Sequence, residues 1–492
     1  MSETGAHLGK KIRQGTRWTL AGSLANEVIQ FAVSIVLARL LLPAEFGLVA
    51  TVGIVTGLAG YFAGAGTGQA LVRAKEADAR HFNVVFTLQL LIGCAIYLFF
   101  VVLAPFFARF FEQSIYQSLL LVSGLNFFLR PFANLPTARL QRAMNFRPLV
   151  IINAVTLVAT SAVSIGMALA GHGVWSLVIG GLVGALLRGL LLNLHVGERY
   201  ALTWDRAIVR DLGSYGVKVA ANSLIEHFRG QSMIFILSKF NGPGDVGLYN
   251  RAASLAAMPM RIVGTSPYQA IFRALAAEQD NLDRSRYLYY RTITLVATYT
   301  LPLYVLAWWL AEPGVRFIYG EKWIGSAEPL TILALGGLFS CIGNPSGAVV
   351  EARNRMTAET KLNIIAWTLL VAGVLYGLQW GLAGVAWASL LTTVFFNTGL
   401  AVVAGREIQG SPSALGRALR PALVLNGLML AALWLADAAL PPSYLHDRPG
   451  TYAFLMSAIG GAAYLAAFLF LPIGELKSES TKWRGKLRLY RR

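Results

Sequence analysis

Residues 37–50 read LARLLLPAEFGLVA, and residues 237–250 read LSKFNGPGDVGLYN. Pro43 answers Pro243, Glu45 answers Asp245, and Gly47-Leu48 answers Gly247-Leu248, each 200 residues on. The same offset joins Ser23 to Ser223, Gly64 to Gly264, Gln69 to Gln269 and Arg73 to Arg273. Chance likeness between apolar helices does not hold one offset through Pro, Gly and Gln. The chain is therefore an internal repeat, and a repeat decides the architecture. Further on, Asn134 answers Asn344 and Asn153 answers Asn363, now 210 residues apart. We assign the shift to a longer loop in the second copy, around EPGVRFIYGEKW.

Of the 492 residues, 56% are apolar and 13% charged, where soluble domains carry about 25% charge. The apolar residues fall into about fourteen runs, each near the ~20 residues that cross a hydrocarbon core as a helix. The first run is too long, and lacks the small-residue cleavage site, to be a removable signal peptide. The fold class expected is an all-α integral membrane protein with about 14 transmembrane helices. The two copies begin at the first and seventh helices and so enter the membrane in the same direction. That parallel repeat implies two pseudo-symmetric six-helix lobes about an axis along the membrane normal, with a site between them, plus two C-terminal helices. The expected boundaries are a basic N-terminus at 1–17, an N-lobe at 18–194 (helices 1–6) and a linker at 195–211. A C-lobe follows at 212–403 (helices 7–12), then helices 13–14 at 404–472 and a basic tail at 473–492.

The net charge is +18, with 42 Lys and Arg. Most of these lie in connecting segments on the side of the N-terminus, such as Lys10, Lys11, Arg13 and Arg17, then Arg139, Arg142 and Arg147, then Arg353, Arg355 and Lys361. The charge is thus a topology signal that places both termini in the cytoplasm, and nucleic acid is not an expected partner. The tail KWRGKLRLYRR reads either as a segment lying on anionic headgroups or as a disordered stop-transfer tail. Cys94 and Cys341 sit in apolar runs and read as packing residues. No Cys/His cluster has metal spacing, and there is no phosphate-cradling loop or GxSxG elbow. No cofactor, metal or catalytic residue is expected, and transport would be driven by a gradient or by the substrate itself.

The repeated P-x-E/D-x-G reads as a turn between two apolar runs, its acid capping the following helix. Helix two adds Gly53, Gly57, Gly60, Gly64 and Gly68, a small-residue face that admits a close neighbour. Polar groups at membrane depth are costly and normally face the bundle interior or a cavity. Helix seven, SYGVKVAANSLIEHFRGQSMIFIL, carries Lys218, Asn222, Glu226 and Arg229 on one stripe and Ser223, His227 and Gln231 on the next. Helix one carries Ser23, Glu27, Gln30 and Ser34, and Glu27 is the repeat-mate of His227. Helix eight carries Arg251, Ser254, Met258, Arg261 and Thr265, with Pro259 expected to kink it. Arg39, Lys239, Arg130, Arg188 and Arg291 are expected to reach the interface along their alkyl stems. Lys218 is open to that reading or to a cavity role, Glu226–Arg229 to a structural ion pair, and His227 to a satisfied core imidazole. Two or three cations with few acids suit an anionic ligand, and guanidinium forks match phosphate oxygens. The expected pyrophosphate-binding residues are Arg229, Arg261, Arg251 and Lys218. The expected coupling and gating residues are Glu27, Glu226 and His227.

On these residues the chain resembles the polysaccharide-transporter branch of the MOP superfamily, Wzx-type flippases of lipid-linked oligosaccharide, and within it the colanic-acid and teichuronic-acid exporter type. The likeness rests on the basic N-terminus, on LARLLLPAEFGLVA, on the twelve-helix pseudo-symmetric body and on the two extra helices, and it covers essentially the whole chain. It implies the bacterial inner membrane, an undecaprenyl-pyrophosphate-linked oligosaccharide as cargo, alternating access without ATP hydrolysis, and no enzyme activity. Membrane lipids, H+ or Na+ as coupling ion, a polysaccharide polymerase and glycosyltransferases are the partners it brings with it. Three other readings stay open. A MATE-like drug/cation antiporter would want an acid-dominated cavity. A peptidoglycan lipid-precursor flippase shares the helix number and the cationic cavity. A membrane polysaccharide polymerase or ligase would display acid/base pairs in a large external loop, whereas the loops around 310–325 and 437–451 are short.

Overall fold

A computed structural model describes residues 26–64, 68, 71, 72, 78–263, 265–278, 281–441, 448–471 and 473–486. The basic N-terminus at 1–17 lies outside these, as do Ser23, Gln69, Arg73 and Gly264 of the repeat. The side chains of 211–226, 229, 265–267, 269, 270 and 277 lie outside them as well.

All regular structure among the described residues is helical, as expected. Helix α1 covers 26–40, followed by α2 Pro43–Gly64, α3 Ala79–Phe110, α4 Ile115–Gly124, α5 Asn126–Arg142, α6 Phe146–Leu169 and α7 Trp175–Val196. Next come α8 Arg206–Phe240, α9 Pro243–Val263, α10 Thr265–Ala277, α11 Leu282–Trp309, α12 Ala311–Ile318 and α13 Ala327–Ala334. The last are α14 Gly337–Ala352, α15 Met356–Gly377, α16 Gly381–Glu407, α17 Pro412–Ala438, α18 Pro449–Phe470 and α19 Lys477–Lys486. Among the described residues, 9 helical segments are long and apolar enough to cross a membrane, or 10 if the bent pair Glu321–Ala334 and Gly337–Ala352 is one span. Met356–Glu407 counts once there, yet it is two antiparallel passes. Gly381 turns the chain at φ +61°, and the backbones of Gly377 and Gly384 then touch. The remaining expected spans fall on α1, α8 and α9, the helices that carry the polar stripes.

The chain divides into two compact units, Met1–Gly247 and Leu248–Arg492. In the first, Phe100, Phe107, Phe111, Tyr116 and Phe127 form a core of edge-on rings between α3, α4 and α5. Helix α8 packs on α2 and α3 of this unit. Its first turn is capped by Asp205, which accepts from the Ala207 and Ile208 N–H groups. In the second unit the core gathers Tyr289, Ile293, Val296, Leu400 and Leu419 from α11, α16 and α17. Helices α17 and α18, the pair without a repeat partner, pack on α11, where the Tyr464 hydroxyl donates to the Thr298 carbonyl. The chain then folds back through α19. Arg291 donates to Glu475 O at 2.6 Å and pairs with Glu479 at 3.3 Å, and Trp483 Nε1 donates to Tyr299 OH at 3.0 Å. Arg291 therefore ends on the returning tail.

The insertion that shifts the repeat offset folds as α12 followed by a 3-10 turn at Glu321–Ser326. Trp323 and Tyr319 are buried there, and Ser326 Oγ donates to Leu248 O at 2.9 Å.

The repeated motif has more than turn chemistry in it. Pro43 and Pro243 are each the first residue of a helix, a position where the missing N–H costs nothing. Glu45 Oε2 accepts from Leu42 N at 2.7 Å, and Asp245 Oδ2 accepts from Asn241 Nδ2 at 2.8 Å. The glycines matter for another reason. A Cβ on Gly47 would lie 1.7 Å from the Pro243 carbonyl oxygen, and a Cβ on Gly247 would lie 1.9 Å from that of Pro43. The two copies of the motif are thus each other's contact, backbone on backbone, within the first unit. Beside them Thr51 Oγ1 and Ser238 Oγ share a buried hydrogen bond of 2.5 Å.

Candidate functional site

The span built from α13 and α14 is bent by 53°. At the bend Gly337 lies flat against Tyr304, whose ring would stand 2.2 Å from any Cβ there. A broken helix leaves backbone unpaired at membrane depth, which is tolerated where it lines a cavity. Such a cavity opens at this bend, within the second unit. It has a volume of about 430 Å³, and its polar lining is Tyr249, Arg261, Tyr304, Asn344, Ser389 and Thr393, with Ser340 beside Tyr304. Alanine and glycine make the rest of the wall roomy: Ala253 and Ala257 one turn apart on α9, Gly336 and Gly337 at the bend. Among the described residues, Arg261 is the only formally charged one that lines the cavity, and no described carboxylate lines it. The first turn of α14 also borders the cavity, adding the positive end of a helix dipole. The arrangement suits an anion with polar groups attached.

Of the residues singled out in the sequence, Arg261 comes to this cavity. Arg251, earlier on α9, does not. Its guanidinium lies over Tyr319 at 5.4 Å and Trp323 at 5.5 Å from the ring centres, tying α9 to the inserted loop. His227 is buried in the first unit, with Nε2 2.8 Å from Ile54 O on α2 and the Tyr61 ring edge-on at 5.4 Å. Glu27 is exposed on α1. Lys218, Glu226 and Arg229 stand on α8, but their side chains lie outside the described residues.

Arg130 and Lys239, read as reaching the interface, also have partners in the protein. Arg130 Nη1 donates to Gly60 O at 2.9 Å and lies over Phe127, so the glycine face of α2 receives a guanidinium as well as an imidazole. Arg188 is half-buried on α7, and its Nε has no hydrogen-bond partner. Lys239 donates to Phe110 O at 2.8 Å and to Glu112 Oε1 at 2.7 Å. That ammonium holds the Glu112 carboxyl below the usual carboxylate range, first through the hydrogen bond and then through charge.

Sequence reasoning passed over Tyr249, Tyr304, Asn344, Ser389 and Thr393 as a group. Asn344 carried a signal as the repeat-mate of Asn134. The mates differ in their partners: Asn134 Nδ2 donates to Gln89 Oε1 at 3.3 Å, whereas Asn344 Oδ1 is buried without a hydrogen-bond partner.

The chain is 23% identical to the lipopolysaccharide biosynthesis protein WzxC of Escherichia coli (strain K12) over 397 residues, which is 79% of each chain. It is 22% identical to the teichuronic acid biosynthesis protein TuaB of Bacillus subtilis (strain 168) over 400 residues, 80% of each. Its fold matches the lipid II flippase MurJ in an inward closed conformation, with a TM-score of 0.72 at 14% identity, covering 96% of this chain and 100% of that one. The family model for polysaccharide biosynthesis proteins matches residues 36–328, more than half of the chain, and the chain belongs to that family.

Proposed function

We propose that the protein translocates undecaprenyl-pyrophosphate-linked oligosaccharide repeat units across the bacterial inner membrane by alternating access, for exopolysaccharide, capsule or O-antigen synthesis. The observation that carries the reading is the cavity lined, among the described residues, by one charged side chain, Arg261. An anionic headgroup is attracted there, whereas a drug cation would meet a guanidinium. Family membership, the names of the relatives and the flippase fold support the same cargo class. In this reading both termini are cytoplasmic, H+ or Na+ couples transport, and glycosyltransferases and a polymerase act before and after it. Arg261, Arg229 and Lys218 are each assigned to pyrophosphate binding, and Arg251 positions α9.

Flipping of a fluorescent lipid-linked oligosaccharide in proteoliposomes tests the proposal. Arg261→Ala should lower the rate at least tenfold, and Arg261→Lys should recover part, since it keeps the charge but loses the bidentate fork. Wild-type flipping by Arg261→Ala together with Arg229→Ala would sink it. Glu27, Glu226 and His227 are assigned to coupling. Glu27→Gln keeps shape and hydrogen bonding but cannot titrate, so it should retain cargo binding and lose the pH dependence of transport. An unchanged pH profile would make Glu27 structural.

A further inference from the structure

We propose that α19 is a docking surface for anionic phospholipid headgroups, held at the rim of the bilayer by Trp483 and by the Arg291–Glu479 pair. The inference concerns the membrane around the protein, not the cargo, and takes up the basic tail that translocation leaves unused.

The first question is what fixes α19 in place. A helix of 10 residues is marginal in water by itself, so its position depends on what it touches. One side of it faces the bundle. Leu476 just before it and Ser480 within it are buried, Glu479 pairs with Arg291 at 3.3 Å, and Trp483 Nε1 donates to Tyr299 OH at 3.0 Å. The Tyr299 ring in turn lies 6.3 Å from that of Phe468, in the last turn of α18. Trp483 is thus brought back to the level at which a membrane-spanning helix ends. It keeps 38% of its surface exposed there, at the depth where tryptophan is enriched in membrane proteins.

The rest of the surface carries charge. Lys477, Lys482, Arg484 and Lys486 have no ion pair among the described residues, and Lys486 Nζ lies 5.0 Å from the centre of the Trp483 ring. Arg417 and Arg420, exposed near the start of α17, stand at the same end. The turn Gly474–Leu476 packs on α17, and Thr294 Oγ1 of α11 donates to Ala418 O at 2.9 Å. Glu479 is spent on Arg291, so one other carboxylate, Glu475, stands against these cations among the described residues of α17's start and 474–486. Each Lys or Arg near an anionic leaflet strengthens attraction to it about fivefold. Charge that only fixed topology would not need the chain to fold back, nor Trp483 to return to Tyr299. Nucleic acid or an acidic protein would suit the charge, but not a tryptophan at the depth of the bilayer edge.

Amide hydrogen exchange of 477–486 in the full-length protein tests this, comparing nanodiscs of zwitterionic phosphatidylcholine with discs that also hold phosphatidylglycerol. Docking stabilises the folded helix by mass action, so the anionic discs should slow exchange there about fivefold or more. Raised salt should undo the slowing. Lys482→Gln with Lys486→Gln should remove most of it. Lys482→Arg with Lys486→Arg keeps the charge and should retain it, which separates loss of charge from damage to the helix. Equal exchange in the two discs would overturn the proposal and make α19 a solvated tail held by its protein contacts alone. Slowing that the Gln variant keeps in full would overturn it too, because the named charges would not carry it. Slowing by a polyprenyl pyrophosphate or by polyglutamate, with none from phosphatidylglycerol, would overturn it by giving the charge to the cargo or to an acidic protein. Flipping of lipid-linked oligosaccharide decides the translocation reading separately, whichever result α19 gives.

Discussion

Gly57 leaves open the space that the His227 imidazole fills: a Cβ on Gly57 would come within 2.6 Å of His227 Cε1. The ring is held in place from its other nitrogen by Ile54 O, so it has little room to retreat. Gly57→Ala should therefore destabilise the protein by roughly 1–3 kcal/mol, the usual cost of overpacking. Gly53→Ala, whose Cβ would meet nothing within 4 Å, should be close to neutral. Adding His227→Ala to Gly57→Ala should recover most of the loss, because the clash goes with the ring. Thermal unfolding of wild type, of these variants and of His227→Ala alone measures this, and additive losses of Gly57→Ala and His227→Ala would show that the two residues do not compete for one space.

Gly47 and Gly247 make a sharper case, since the atoms they face are backbone carbonyls that no rotamer change can move. Gly47→Ala or Gly247→Ala should drive the first turns of α2 and α9 apart. Cysteine at Ala44 in a background lacking Cys94 and Cys341 should react faster with a membrane-impermeant maleimide when Gly47 is Ala. Transport should fall while the protein stays in the membrane. Unchanged labelling would mean that the contact is not part of the transport cycle.

Glu112 and Lys239 give a pH prediction with a definite sign. The Glu112 carboxyl is lowered from its ordinary 4.5 by Lys239. A lowered carboxyl contributes stability that is present above its ordinary value and lost as pH falls through the lowered one. Glu112→Gln should then cost the same small amount from about pH 8 down to about pH 5, and nothing in acid below both values. The effect is small because Glu112 is exposed and solvent screens the pair. Melting temperatures across that range measure it. A difference that grows on acidification would reverse the sign and exclude this pair as its source.

The architecture was readable because hydrophobic run length and one constant offset are properties of the sequence itself. Prolines at Pro43 and Pro243, and acids at Glu45 and Asp245, announced helix starts for local reasons that need no neighbour. What Gly47 and Gly247 do was not readable, because turn chemistry accounts for them until the two copies are brought together. The same limit applies to Arg130 and Arg291. Distance from a helix end suggested the membrane surface, and nothing in the sequence pointed to Gly60 O or the returning tail as their partners. Arg261 was found as a mid-membrane cation on a polar face. Tyr249, Tyr304 and Thr393 come from three separate helices, and hydroxyl-bearing residues are common in such helices, so nothing in the sequence joined them.

Arg291 meets Glu479 across 188 residues of chain, and that separation has a consequence in time. At about 5–20 residues per second, the ribosome completes α19 some 10–40 s after it has made Arg291. Throughout that interval α11 sits beside the bilayer with a guanidinium that lacks its final acceptors. The segment that supplies them is made long after the helix that needs them, so this contact forms late. A protein cut short before Gly474 would keep every earlier pass and still present that unmatched charge.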